Sequence, residues 1–231
     1  MASAALEQMY FRDRADAGRK LSTSLHDYAG RPDLVVLALP RGGVPVGYEV
    51  ARSLGAPLDI FLVRKLGVPG REELAMGAIA SGGVRVLNRD VVQALDIPEQ
   101  VIEGVAAAEL RELERRERAY RDDRPPLDLR GRTIIIVDDG LATGSSMRAA
   151  ATALRQQGPA RIVVGVPVST PETCEEFREE VDDIVCAITP QVLFGVGAWY
   201  QDFSQTTDDE VRDLLARAAS DEQARSRRAA A

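Results

Sequence analysis

Two adjacent carboxylates, Asp138 and Asp139, close an apolar run, Ile134-Ile135-Ile136-Val137, and lead into Gly140-Leu141-Ala142-Thr143-Gly144-Ser145-Ser146-Met147. Four β-branched residues followed by charge read as a strand buried on both faces. Such a strand ends at the carboxyl edge of a parallel sheet, where open α/β folds place their ligands. The small residues let the backbone approach a ligand closely, and a helix over 146–157 aims its unpaired N–H groups back at the loop. These groups and the positive end of the helix dipole favour an anion, the dipole contributing about 0.3–1 kcal/mol at an exposed site. A phosphate fits over Ala142, Thr143, Gly144, Ser145 and Ser146, while Asp138 and Asp139 accept hydrogen bonds from two vicinal hydroxyls. The spacing suits a ribose 5-phosphate. The bland alternative is an ordinary strand-to-helix connection with an N-cap, which does not call for strand, acid pair and Thr-Gly-Ser-Ser turn together in this order.

Three other segments carry suitable chemistry. Leu39-Pro40-Arg41-Gly42-Gly43-Val44 follows an apolar strand, and its two glycines permit a tight turn whose amides, with the Arg41 guanidinium, can face an anion. Alone, a Gly-Gly turn is commonly only geometry; its place at the same sheet edge as the acid pair makes Arg41, Gly42 and Gly43 candidates. Arg64 and Lys65 end a second apolar strand, and Lys20 and Lys65 are the only lysines among 29 basic residues. The Gly- and Pro-containing stretch through Glu73 reads as a mobile lid, with Arg71 equally readable as a plain surface arginine. Near the C-terminus, Phe194, Val196, Trp199, Tyr200 and Phe203 cluster around glycines. They can stack on a flat heterocycle or simply anchor a hydrophobic cluster.

The elements that must position these groups alternate strand and helix. Apolar periodicity predicts a helix over 13–28, a strand over 34–39, a helix over 44–54 and a strand over 58–63. The pattern resumes with strands over 133–137, 161–168 and 183–188, separated by helices over 146–157 and 172–180. The expectation is an α/β, Rossmann-like parallel sheet of about five strands flanked by helices. An insertion over 66–130 interrupts it. Within that insertion, Ser81-Gly82-Gly83 predicts a β-hairpin, and the acid and base pairs of 98–121 predict a helix with a solvated charged face. One domain over 1–219 is expected, with a helix over 207–219 and a fraying Arg/Ala tail over 220–231.

Composition narrows the function. The chain has 231 residues and a net charge of −7, which argues against broad nucleic-acid binding. No apolar stretch of about 18 residues offers a membrane span, and the N-terminus lacks a secretory pattern, so a cytoplasmic protein is expected. His26 is the only histidine, which disfavours His-dependent nucleophilic catalysis and His-rich zinc sites. Any metal should be oxygen-bound. Cys174 and Cys186 have no metal-like spacing and are read as core or bystander residues without an assumed disulfide.

The run over 134–147 resembles the ribose-phosphate signature of the type I phosphoribosyltransferases, which use 5-phosphoribosyl 1-diphosphate (PRPP). The resemblance implies that fold, with a small hood over about 190–205, and transfer of ribose 5-phosphate to a nitrogen acceptor with release of pyrophosphate. It assigns pyrophosphate to the Arg41-Gly42-Gly43 loop, with a non-proline cis peptide between Arg41 and Gly42. Arg64 and Lys65 then help neutralise the departing pyrophosphate, and Phe194, Val196, Trp199 and Tyr200 form the acceptor hood. It further implies Mg²⁺, held by Asp138 and Asp139 through water or substrate, and a homodimer. Ala142 stands where 6-oxopurine enzymes of the family commonly carry an aspartate. This turns the reading away from hypoxanthine-guanine salvage and towards adenine- or orotate-like loops, without naming the nucleobase. Two other classes stay open on the residues: a non-catalytic protein that senses PRPP or a nucleotide, and a sugar-phosphate hydrolase using Asp138 or Asp139 as nucleophile or base.

Overall fold

The computed structural model describes residues 10–122 and 124–229. In chain order the elements are α1 (Arg14–Ser24), β1 (Leu34–Ala38), α2 (Gly43–Leu54), β2 (Leu58–Ile60), β3 (Val63–Val68), β4 (Arg71–Ala80), β5 (Val84–Leu87), α3 (Arg89–Ala94) and α4 (Glu99–Arg121). They continue with β6 (Thr133–Val137), α5 (Ser145–Gln156), β7 (Arg161–Val168), α6 (Pro171–Arg178), β8 (Asp183–Ile188) and α7 (Asp208–Ala229).

Five parallel strands form the main sheet in the order β2-β1-β6-β7-β8. The Val, Ile and Leu side chains of β1 and β6 are buried on both faces, as a sheet covered on both sides requires. Alternate residues divide between two cores. Val36, Ile135 and Val163 pack with α1, α2 and α7, whereas Leu37, Ile134, Ile136 and Val164 pack with α5 and α6. From β1 the chain moves outward to β2; after the insertion it enters at β6 and moves the other way. The carboxyl ends of β1 and β6 therefore flank the switch in strand order, the crevice where α/β sheets bind ligands.

The insertion is more ordered than the sequence implies. Val63 does not extend β2 but begins an antiparallel sheet, β3-β4-β5, in which Arg64 faces Ile79 and Lys65 faces Ala78. The expected lid is thus a β-hairpin turning at Pro69-Gly70. Leu66, Val68, Met76 and Ile79 are buried with Ile102, Ala106 and Leu113 of α4, and this apolar face is what orders the segment. The β4–β5 hairpin around Ser81-Gly82-Gly83 forms as expected, although those three residues make a 3-10 turn.

Three other expectations change. Cys174 of α6 and Cys186 of β8 are joined as a disulfide, because α6 packs beside the edge strand. The tail does not fray at Ser220: α7 continues to Ala229. Val211, Leu215 and Ala218 are buried on the α2 side, and beyond them Tyr48 donates to Asp221 and Arg225 donates to the Ala56 carbonyl, both at 3.2 Å. The N-terminal helix stops at Ser24 and is followed by a 3-10 turn over His26–Tyr28. Among the described residues, no helix is long and apolar enough to cross a membrane.

The end of α4 is fixed by a buried ion pair. Arg121 donates through Nε to Asp59 Oδ1 at 2.8 Å and through Nη2 to the Ile60 carbonyl at 2.9 Å, with Glu117 at 3.2 Å. The Arg121 and Asp59 side chains are only 8% and 10% exposed. Removing one partner of such a pair leaves an uncompensated buried charge. We therefore expect Arg121→Met to lower unfolding free energy by about 3–5 kcal/mol, measured by urea denaturation. The double change Arg121→Met/Asp59→Leu should recover most of that loss.

Candidate functional site

The site forms where the loops after β1 and β6 touch. Leu39 N–H donates to the Val137 carbonyl at 2.9 Å, extending the strand pairing into the loops. A Cβ on Gly42 would collide with the Asp139 carboxylate, and one on Gly43 would lie 2.7 Å from the Val137 carbonyl oxygen and 3.0 Å from Asp138 Cα. The two glycines are needed because the arginine loop lies directly on the acid pair.

That loop contains a cis peptide, between Pro40 and Arg41 and not between Arg41 and Gly42 as expected. Gly42 already has helical angles, φ −60° and ψ −33°, and the Arg41 carbonyl accepts from Val44 N–H at 3.1 Å. The Arg41–Gly42 peptide is therefore committed to the first turn of α2.

The second loop presents an open cup. Ala142, Thr143, Ser145 and Ser146 are exposed, and Gly144 has φ +72°, a left-handed angle that favours glycine. No side chain caps α5 at Gly144, so its N-terminus keeps free N–H groups at the sheet edge, whereas at the start of α2 the Gly43 and Val44 N–H groups are taken up by the Leu39 and Arg41 carbonyls. Arg148 braces the cup: it donates to the Thr143 carbonyl at 3.1 Å and to Glu176 and Glu180 of the α6 region at 2.6 Å each.

The acid pair is held from three sides. Asp139 N–H donates to Asp138 Oδ1 at 2.8 Å, Tyr200 hydroxyl donates to the Asp139 carbonyl at 2.5 Å, and Arg14 Nε donates to Asp139 Oδ2 at 2.8 Å. Among the described residues, each carboxylate keeps one oxygen without a hydrogen-bond partner. Burial, and next the charge of Asp139, raise the pKa of Asp138 above the usual carboxylate range; burial also raises Asp139, with Arg14 opposing it. The pair is thus short of positive charge.

Arg14 was not singled out from the sequence. Its guanidinium also donates to the Ser204 carbonyl at 2.6 Å and lies 3.9 Å from the centre of the Phe203 ring. It joins α1, the acid pair and the C-terminal segment, a link spanning 125 residues of chain that no local motif could reveal.

The hood candidates divide. Val196 lies against the acid loop, where a Cβ on Gly140 would come within 2.5 Å of it. Phe194 is 94% exposed and free to meet a ligand. Trp199 instead stacks on Tyr10, ring centroids 5.7 Å apart, and its carbonyl accepts from Phe11 N–H at 2.8 Å. Tyr200 is buried between Phe11 and Phe203, so it braces the acid loop and cannot offer its face to a heterocycle. Burial, and next the Asp139 charge, push its hydroxyl pKa upward and keep it a donor.

Arg64 and Lys65 reach different partners. Arg64 is paired with Glu109 of α4. Lys65 donates to the Glu73 carbonyl at 3.1 Å and lines a cavity of about 380 Å³ with Ser145, Ser146 and Arg148. Of these two, the structure brings only Lys65 towards the cup. Arg41, Gly42, Gly43, Asp138, Asp139 and residues 142–146 share one edge.

Residues 8–202 match the family model described as the phosphoribosyl transferase domain. Over 211 residues the chain is 47% identical to Rv0571c of Mycobacterium tuberculosis strain H37Rv and equally to MT0597 of strain CDC 1551, both provisionally named phosphoribosyl transferases. Each match covers 91% of this chain and 47% of the relative, so the chain spans about half the length of these curated relatives. The crystal structure of TT1426 from Thermus thermophilus superposes with a TM-score of 0.80 at 43% identity, covering 90% of this chain and 99% of that one.

Two outcomes follow from the site geometry. Gly43→Ala should cost about 1–3 kcal/mol in urea unfolding, since its Cβ meets backbone that cannot yield. Arg14→Met should cost a similar amount, about 1–3 kcal/mol, at neutral pH. Arg14 pairs with the ionised form of Asp139. Its loss should therefore matter most above Asp139's raised pKa and fade as the pH falls through it, which urea midpoints across pH would record.

Proposed function

Because the chain belongs to the phosphoribosyl transferase family, we propose that this site binds PRPP and transfers its ribose 5-phosphate to a nitrogen acceptor, releasing pyrophosphate. The observation that carries the reading is the seating of the Gly42-Gly43 loop on Asp138 and Asp139 beside the uncapped start of α5. A phosphate cup, two hydroxyl acceptors and a second anion loop then lie in the order in which PRPP carries its 5-phosphate, ribose hydroxyls and diphosphate.

In this reading the N–H groups and hydroxyls of 142–146 hold the 5-phosphate. The free oxygens of Asp138 and Asp139 accept from the ribose hydroxyls, and Arg41 with the amide of Gly42 receives the diphosphate, while Gly43, whose N–H donates to the Leu39 carbonyl at 3.0 Å, lets the loop lie against the acid pair. The C1–O bond to pyrophosphate breaks as the acceptor nitrogen bonds to C1 and loses its proton. Positive charge develops on the sugar in between, so the protein's task is to orient the reactants and supply charge in a water-poor site; no protein nucleophile is needed. Lys65 approaches the cup from β3. Arg64 would have to leave Glu109 to join it.

Mg²⁺ fits this donor set. It favours hard oxygen ligands, keeps several waters and takes one or two carboxylates together with phosphates. The raised carboxyls of Asp138 and Asp139 are the kind of under-compensated pair that a divalent cation relieves. Asp138 and Asp139 would hold it through water or substrate, and when bound it would neutralise charge on the departing diphosphate.

Phe194 and Val196 are the residues we assign to the acceptor, with a nucleobase as the flat partner that Phe194 could stack upon. The test is calorimetric titration of PRPP with and without Mg²⁺ on wild type and on Asp138→Asn/Asp139→Asn. The reading expects Mg²⁺-dependent binding that weakens by about tenfold or more in the variant, as loss of charge-assisted hydrogen bonds would produce. Failure of folded wild type to bind PRPP would overturn it.

A further inference from the structure

Another polar cavity borders the arginine loop through Arg41. It has a volume of about 200 Å³ and is lined by Arg41, Arg115, Arg116, Ala119, Tyr120 and Asp208. Three guanidinium groups reach it from two elements far apart in sequence, the loop after β1 and the insertion helix α4.

The charge around this cavity is not balanced. Arg115 and Arg116 both turn to a single carboxylate, Glu112, with contacts of 2.7 and 2.8 Å for Arg115 and 2.8 Å for Arg116. The Arg41 guanidinium has only a loose approach to Asp208, at 3.7 Å, and makes no hydrogen bond among the described residues. Asp208 already accepts from the Tyr120 hydroxyl at 2.7 Å. Burial, and next the hydrogen bond to Asp208, push Tyr120 up to about 12, so it stays a donor. Three cations thus share two carboxylates, one of them engaged elsewhere. The guanidinium fork is suited to bidentate contact with phosphate oxygens.

Size and position narrow the ligand. Sites that enclose a drug-sized ligand run from about 300 to 1,000 Å³. The 200 Å³ here suits one or two phosphate groups and not a whole nucleotide. Arg41 is separated by a single peptide bond from Gly42, which packs on Asp139.

We propose that Arg41, Arg115 and Arg116 form a phosphate pocket in which the insertion helix supplies two of three guanidiniums to the diphosphate end of the donor. The proposal rests on the PRPP reading above for its ligand, but the pocket's affinity for free pyrophosphate can be measured apart from it. It gives α4 a part in binding that its otherwise solvated face did not suggest. The buried Arg121–Asp59 pair about one and a half turns further on fixes the register in which Arg115 and Arg116 arrive.

The experiment titrates wild type and Arg115→Gln/Arg116→Gln with PRPP, with pyrophosphate and with ribose 5-phosphate, all in Mg²⁺. Both positions are solvent-facing, and a thermal melt confirms that the variant is folded. The pocket predicts that PRPP and pyrophosphate bind about tenfold more weakly or worse, with ribose 5-phosphate unchanged. Glu112→Gln, which frees both arginines, should tighten pyrophosphate binding. Unchanged PRPP and pyrophosphate affinities in the double variant would overturn the pocket while leaving the donor reading intact, and an equal loss for ribose 5-phosphate would overturn it as a non-specific effect. Should wild type bind pyrophosphate through these arginines yet not bind PRPP, the pocket stands as a site for free phosphates and the donor reading fails. Binding of neither overturns both.

Discussion

The parallel pairing of β1 with β6 is the constraint on which the site depends. Leu34 to Ala38 run in register with Thr133 to Val137, and one further bond, Leu39 N–H to the Val137 carbonyl, carries the pairing past the strand ends. Two loops nearly a hundred residues apart in the chain thereby leave the sheet side by side. Their contact is too close for any side chain on Gly42 or Gly43. The residue types in both loops follow from that separation: glycine where backbone must meet carboxylate, acid where the strand ends, and small polar residues where α5 begins.

Charge explains much of what surrounds the acid pair. Two neighbouring carboxylates in a desolvated crevice raise one another's cost, and the fold meets part of it with Arg14, drawn from the first helix across the sheet edge. Arg14 is held in turn by Ser204 and Phe203, and Tyr200 fixes the backbone of Asp139. The segment after β8 is therefore bound to the N-terminal segment through Phe11, Arg12 and Tyr10. Aromatic residues that resemble a base-stacking hood are mostly used up in this clasp, leaving Phe194 exposed and Val196 against the acid loop.

The insertion follows a related logic. A second sheet and a 23-residue helix bury an apolar face against the core, and the helix closes on β2 with the Arg121–Asp59 pair. A segment fixed in this way can present polar groups with little further loss of conformational freedom, since its backbone is ordered before any ligand arrives. Glu109 and Glu112 show the consequence: each takes up arginines, Arg64 in one case and Arg115 with Arg116 in the other, and so sets which guanidiniums remain free.

The sheet, the small-residue loop at the start of α5, the acid pair and the arginine loop were legible in the sequence because each is a local pattern: a β-branched run, then charge, then glycine at a helix start. The Ser81-Gly82-Gly83 hairpin was legible for the same reason. Tertiary structure alone decided the rest. Whether Val63 continues β2 or opens a second sheet depends on apolar contacts with α4, and whether residues 220–229 stay helical depends on docking to α2. The pairing of Cys174 with Cys186 required α6 to lie along β8. The partners of Arg14, Arg64 and Tyr200 lie 125, 45 and 61 residues away, and no spacing rule reaches that far. Local sequence determines what a segment can offer; long-range packing determines which offers meet, because a side chain's partner is set by the whole sheet order and not by its neighbours in the chain.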